Sequence, residues 1–64
     1  MTTELNIDAS TVIATGTYDI GEVLVVWYEF ETLEALEANF VANMAYWKAI
    51  SRKTKIIGKK ILIF

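Results

Sequence analysis

The sequence lacks three residue types that usually anchor chemistry or fix the backbone: cysteine, histidine and proline. Without cysteine there is no disulfide, and without histidine as well a structural zinc site is not expected. The commonest general base and the strongest side-chain nucleophile are therefore both missing. Ser10 and Ser51 have no candidate base at a recognisable spacing, and no glycine-rich phosphate loop is present. We expect a protein that is not an enzyme and that has no catalytic, cofactor-binding or metal-binding residues.

Glycine is scarce as well, which bears on how the chain is divided. Only Gly16, Gly21 and Gly58 interrupt the 64 residues, so no linker separates one folding unit from another. We expect residues 1–64 to form a single small α+β domain. Domains of this size bury a limited share of their surface and commonly need a staple or a partner chain. Because 55% of the residues are hydrophobic and no disulfide is available, we expect a homodimer.

Long apolar runs are also lacking. The most apolar stretches, 23–28 and 61–64, are as long as strands and well short of the ~20 residues that cross a bilayer. Residues 1–4 are polar, unlike the basic and then apolar start of a secretory signal. These features predict a cytoplasmic protein with no membrane partner.

The charges that are present fall into two separate parts of the chain. All 8 acidic residues precede position 38 and all 6 basic residues follow position 47, so the net charge of −2 combines −8 and +6. Such segregation predicts two charged binding surfaces. The alternative is that the residues of each sign are ordinary solvent-exposed side chains that keep the protein soluble. An acidic docking surface would comprise Glu22, Glu29, Glu31, Glu34 and Glu37. A basic surface for a protein partner or nucleic acid would comprise Lys48, Arg52, Lys53, Lys55, Lys59 and Lys60.

Two stretches in the first half of the chain have the residue pattern of β-strands. Residues 11–18 are rich in Thr, Val and Ile, and residues 22–30 are nearly all β-branched or aromatic. A three-residue loop closing through Gly21 would pair Tyr18 with Glu22. In this register the face that packs under the helix carries small side chains from the first strand and large ones from the second. The small ones are Val12, Ala14 and Gly16, and the large ones are Leu24, Val26, Tyr28 and Phe30. The opposite face would carry an apolar centre for self-association, formed by Ile13, Val23, Val25 and Trp27.

A helix and a further strand account for the second half. Thr32 has the properties of an N-cap, and Glu34 adds favourable charge to the first turn. Apolar residues then recur at helical spacing at Leu33, Leu36, Phe40, Met44, Trp47 and Ile50, which predicts a helix from Leu33 to Ser51 or Arg52. Residues 55–64 are expected to form one strand bent at Gly58, with a tight hairpin as the alternative. The predicted fold is α+β with element order β-β-α-β, a small antiparallel sheet of strand order 2-1-3, and one helix on one face. Residues 5–7 could add a short edge strand.

Two short stretches resemble known families. Residues 31–36 are similar to part of the small T7-type phage proteins that inhibit bacterial RNA polymerase, although the basic, apolar C-terminus departs from that family. Residues 10–19 are similar to the opening of the KTSC domain, whose later motif is missing here. These resemblances imply a small phage or mobile-element protein that acts by binding.

The leading functional hypothesis is a non-catalytic, homodimeric interaction protein that binds and inhibits or modulates a larger macromolecule, as phage inhibitors of host machinery do. One alternative is a small nucleic-acid-binding regulator that uses the basic C-terminal segment. Against this stands the acidic balance of the whole chain, since nucleic-acid-binding domains are usually basic overall. The other alternative is a structural subunit or an engineered fold without a target.

Overall fold

The computed structural model describes residues 5–64; the polar start of the chain, including Glu4, lies outside the described residues. One turn of 3-10 helix, Ala9–Thr11, leads into strands β1 (Val12–Ile20) and β2 (Val23–Phe30). Helix α1 (Leu33–Ala49) follows, and strands β3 (Thr54–Ile57) and β4 (Lys60–Ile63) end the chain. The α+β class, the antiparallel sheet and the single helix on one face are confirmed. The predicted edge strand at residues 5–7 is wrong, because this segment pairs with no described strand.

The C-terminal segment is a hairpin, and the prediction of a single bent strand is wrong. Gly58 has a φ of 60° and opens a two-residue loop between Ile57 and Lys60, an arrangement typical of type II′ turns. The arms are only 4 residues long. They are stable as strands because β4 also pairs with β2 on its other side.

Among residues 5–64 the sheet has 4 strands in the order β1-β2-β4-β3, so the predicted order 2-1-3 is also wrong. All neighbouring strands are antiparallel. The physical reason is the extra hairpin: after α1 crosses the sheet, β3 forms the far edge and β4 returns between β3 and β2. As a result β1 and β3 are the edge strands.

The first hairpin has a different register from the predicted one. Its loop contains two residues, since Ile20 pairs with Val23, and Gly21 has a φ of 63°. Trp27 consequently lies opposite Gly16 and not opposite Ile13. Because the shift is by an odd number of residues, Gly16 and Ala14 move to the face opposite the helix. A bulge between Val12 and Ala14 then restores Val12 to the helix side, opposite Phe30.

Helix α1 begins and ends with complete caps. The Thr32 hydroxyl accepts the Ala35 N–H at 3.0 Å, which confirms the predicted N-cap. The helix ends before Ser51, which has a φ of 59°. There the Arg52 N–H donates to the Trp47 carbonyl at 2.8 Å and the Ser51 N–H donates to the Lys48 carbonyl at 3.1 Å. This pair of bonds is a Schellman motif with serine in the position that glycine usually occupies.

The core lies between α1 and the sheet face formed by alternate residues of β2 and β4. Its most buried members are Phe30, Leu36, Trp47, Ile61 and Ile63. The predicted apolar stripe is correct at Leu36 and Trp47, but Leu33, Met44 and Ile50 are exposed. The remaining buried positions on the helix are polar, Asn39 and Asn43.

Candidate protein-binding surfaces

The sheet face away from α1 is broad and uncovered by any described residue. We call it the open face. Residues that are directly paired across neighbouring strands have their side chains on the same face of the sheet. The pairing register therefore identifies the residues of the open face. In thickness the molecule measures only 16 Å across its Cα atoms, against 31 × 30 Å in its other dimensions, because a single helix layer lies on a single sheet. The open face contains Ala14, Gly16, Tyr18, Ile20, Val23, Val25, Trp27, Glu29, Lys55, Ile57, Lys60, Leu62 and Phe64.

A shallow apolar depression occupies the middle of the open face. Val25 is only 3% exposed although it belongs to the face opposite the helix and lies outside the core cluster. Around it the aliphatic side chains of Ile20 and Val23 are 60% and 43% exposed. Val25 therefore forms the floor of an apolar surface whose surrounding side chains remain in contact with solvent. The depression has a volume of about 310 Å³ and is lined by Tyr18, Ile20, Val23, Val25, Lys55, Ile57, Leu62 and Phe64.

Trp27 lies on the open face, as the sequence pattern predicted, and two neighbours fix its ring. A Cβ atom at position 16 would lie 2.9 Å from Trp27 Cζ2, so only glycine leaves room for the indole against β1. On the β4 side, Lys60 Nζ is 4.7 Å from the centre of the ring, within the range of a cation–π contact. The tryptophan is therefore a preorganised, half-buried part of this surface.

The predicted self-association set is only partly brought together. Val23, Val25 and Trp27 share the open face, whereas Ile13 is the unpaired residue of the β1 bulge and is 59% exposed. The expected contact of Ile13 with Trp27 is wrong, because the sequence did not reveal the two-residue loop that sets the register. Tyr18, Leu62 and Phe64 instead complete the surface. The available signal was the unbroken apolar run 61–64, because a strand that is apolar at every position has an apolar side chain on both faces of the sheet.

The predicted basic residues fall into two groups. Lys48, Arg52 and Lys53 line a groove beside the end of α1, together with Phe40, Met44, Trp47 and Thr54. The other three, Lys55, Lys59 and Lys60, belong to the β3–β4 hairpin, where Lys60 contacts Trp27. In the groove Phe40 packs on the core and Trp47 is buried, with their ring centres 6.1 Å apart. Little aromatic surface is consequently left there for stacking with bases.

The predicted acidic residues are also spread apart. Glu22 lies in the β1–β2 loop at one end of the sheet, whereas Glu31, Glu34 and Glu37 surround the start of α1 at the other end. Glu29 is paired directly with Lys60 across β2 and β4. Because β4 inserts beside β2, the acidic and basic parts of the sequence interlock in the fold and do not form two opposite poles.

Sequence reasoning missed the most specific polar feature, two buried asparagines on α1. The Asn43 side chain accepts the Asn6 N–H at 2.6 Å and donates to the Asn6 carbonyl at 3.2 Å. One turn earlier, the Asn39 side chain accepts the Asp8 N–H at 2.8 Å. Together they hold residues 5–8 against the helix, and every buried polar side-chain atom in the described chain has a hydrogen-bond partner. The sequence does contain a sign of this role: two asparagines lie four residues apart in an alanine-rich helix, although asparagine is unfavourable inside helices.

Metal-binding clusters and membrane-spanning helices are both absent from the part of the chain that the structure describes. Within residues 5–64 there is no cluster of three acidic side chains that could hold a metal ion. Over the same residues no helix is long and apolar enough to cross a membrane. No protein-family model matches the chain, and no curated protein or solved structure is significantly similar to it. The short resemblances to the phage inhibitors and to the KTSC domain therefore gain no support from these comparisons.

Proposed function

We propose that this protein is a small non-catalytic interaction module that forms a homodimer through its open face and, as a dimer, binds a larger macromolecule. The observation that supports it best is the apolar depression around Val25 on a sheet face that no described residue covers. Four strands ~4.8 Å apart with about six residues each at ~3.3 Å cover roughly 400 Å². Part of this area is charged, at Glu29, Lys55 and Lys60, but an uncovered apolar depression at the centre of such a face commonly marks an interaction site.

A second copy suits this face for two reasons. Its centre is aliphatic, with Val25 and Leu62 in adjacent rows, and such surfaces pack well against another apolar sheet. Its polar end carries both signs of charge, Glu29 as well as Lys55 and Lys60, so an isologous contact can match opposite charges. Two copies would bury roughly 800 Å² in total, below the ~1,200–2,000 Å² of stable complexes and in the range of weak, transient ones. We therefore propose a weak dimer that forms at micromolar concentrations or above.

The proposal is tested by sedimentation equilibrium from low to high micromolar concentration. We expect the native chain to dimerise in this range with little dependence on salt, because apolar contacts dominate the face. Val23→Lys adds a charge beside Val25 and should leave the protein monomeric. Val41→Lys is the matched control, since Val41 is 69% exposed on α1 and outside the open face. A native chain that stays monomeric at high micromolar concentration would exclude the homodimer.

A further inference from the structure

The outer edge of β3 carries features of a second binding surface, which borders the open face at Lys55. We propose that an extended, acidic segment of a partner protein with alternating apolar side chains adds to β3 as a fifth, antiparallel strand. This inference concerns the target and not self-association, so it would stand even if the homodimer failed. It depends on the backbone of β3, the groove under its edge and the cations around it.

The backbone of β3 offers free hydrogen-bonding groups on its outer side. Lys53 and Phe64 exchange both of their backbone hydrogen bonds, at 2.8 and 2.9 Å. Because bonding alternates along an antiparallel strand, Lys55 and Ile57 also direct their N–H and C=O groups toward β4. Thr54 and Ile56 direct theirs outward, where no described strand pairs with them. Such an edge is a template for strand addition.

The side chains at the same edge select what can bind there. Thr54 and Ile56 belong to rows that face the helix side, since they pair with the core residues Ile63 and Ile61. Ile56 is 46% exposed, and Met44, in the adjoining groove, is 50% exposed. A residue of an added antiparallel strand that bonds to Thr54 or Ile56 lies on this side. These positions of the partner segment must therefore be apolar.

The alternate positions of the partner segment would lie toward the other face, in the row of Lys55. Lys53 belongs to the same face as Lys55, because it pairs with Phe64 two residues beyond the Lys55–Leu62 pair. Two cations therefore flank these alternate positions. Acidic side chains at the alternate positions thus complement the site. Lysine on a short edge strand also disfavours pairing of two identical β3 strands, because like charges would face each other.

Capped eight-residue peptides of alternating valine and glutamate provide the probe, with affinities measured by calorimetry at low and physiological salt. The valine–glutamate peptide should bind, and the valine–lysine peptide should bind at least about tenfold more weakly. Lys55→Glu should weaken the first peptide by about tenfold, whereas Lys59→Glu, the same charge change in the neighbouring turn, should have a smaller effect. Equal losses for the two variants would overturn the proposed position.

Backbone methylation tests strand addition itself. N-methylation of every valine removes the N–H groups that would bond to β3, and should weaken binding by at least about fivefold. N-methylation of every glutamate removes groups that point to solvent and should have little effect. Ile56→Pro removes an outward donor at an edge where proline is tolerated, and should weaken binding more than Ile56→Ala does. Any other ranking of the methylated peptides would overturn the antiparallel strand.

Tighter binding of a twelve-residue oligothymidylate than of the acidic peptide would overturn the proposal in favour of nucleic acid.

Discussion

The buried amide of Asn43 allows a quantitative test of how residues 5–8 are held to the helix. Asn43→Ala removes two hydrogen bonds to the backbone of Asn6, each contributing about 0.5–1.5 kcal/mol to stability. It also removes a bond to the Asn39 carbonyl, which costs less because that carbonyl keeps its partner in the helix. The Asn6 groups can turn to water, since that residue is exposed, so a full desolvation penalty is not expected. The free energy of unfolding should therefore fall by about 2 kcal/mol.

For a domain this small the loss is a large share of a total of roughly 3–10 kcal/mol. It should lower the melting temperature by about 8–16 °C. The assay is urea unfolding followed by tryptophan fluorescence, at one protein concentration so that self-association does not vary. Amide hydrogen exchange should show a parallel loss of protection at Asn6 and Asp8.

Asn6→Ala is the matched control, because the bonds to Asn43 use only the backbone of Asn6. It should change the free energy of unfolding by less than about 0.5 kcal/mol. The reasoning would be refuted if Asn43→Ala were as mild as this control. It would equally be refuted if the control were as damaging as Asn43→Ala.

Three glycine-related substitutions test the turns and the Trp27 contact, all by urea unfolding. Ser51→Gly should raise the free energy of unfolding by about 1 kcal/mol, because Ser51 has a φ of 59° and glycine avoids that steric cost; no gain would contradict the Schellman assignment. Gly58→Ala should lower it by about 1–2 kcal/mol through its φ of 60°, and a neutral result would argue against the two-residue loop. Gly16→Ala should lower it by about 1–3 kcal/mol and shift the fluorescence of Trp27, since the new methyl would lie 2.9 Å from the ring. An unchanged spectrum would show that the indole does not rest on Gly16.

Several elements could be read from the sequence because local chemistry determines them. Thr32 caps α1 through its own hydroxyl, three residues from the N–H it accepts. The β-branched and aromatic run of β2 forms a strand, and its alternation placed Val23, Val25 and Trp27 on one face. These are short-range effects of backbone propensity and side-chain period.

Other features could not be read because they depend on residues far apart in the chain. The loop of the first hairpin contains two residues and not three, and the resulting slip exchanged the faces of β1, moving Gly16 against Trp27. The stability of the short β4 depends on its pairing with β2, whose paired residues lie 31 to 37 positions earlier, and no local pattern indicates this pairing. The same pairing mixes charges that are segregated in the sequence.

What the sequence by itself determined was the kind of secondary structure, the absence of cysteine and histidine chemistry, and the excess of apolar side chains. Tertiary structure alone decided where the apolar side chains lie, since the strand order leaves one sheet face uncovered by the described residues and places β3 at an edge. It also gave Asn39 and Asn43 their role, because an amide buried inside a helix is stable only where another segment supplies the backbone partners. Local rules fix the elements of this protein, whereas its surfaces follow from long-range pairing.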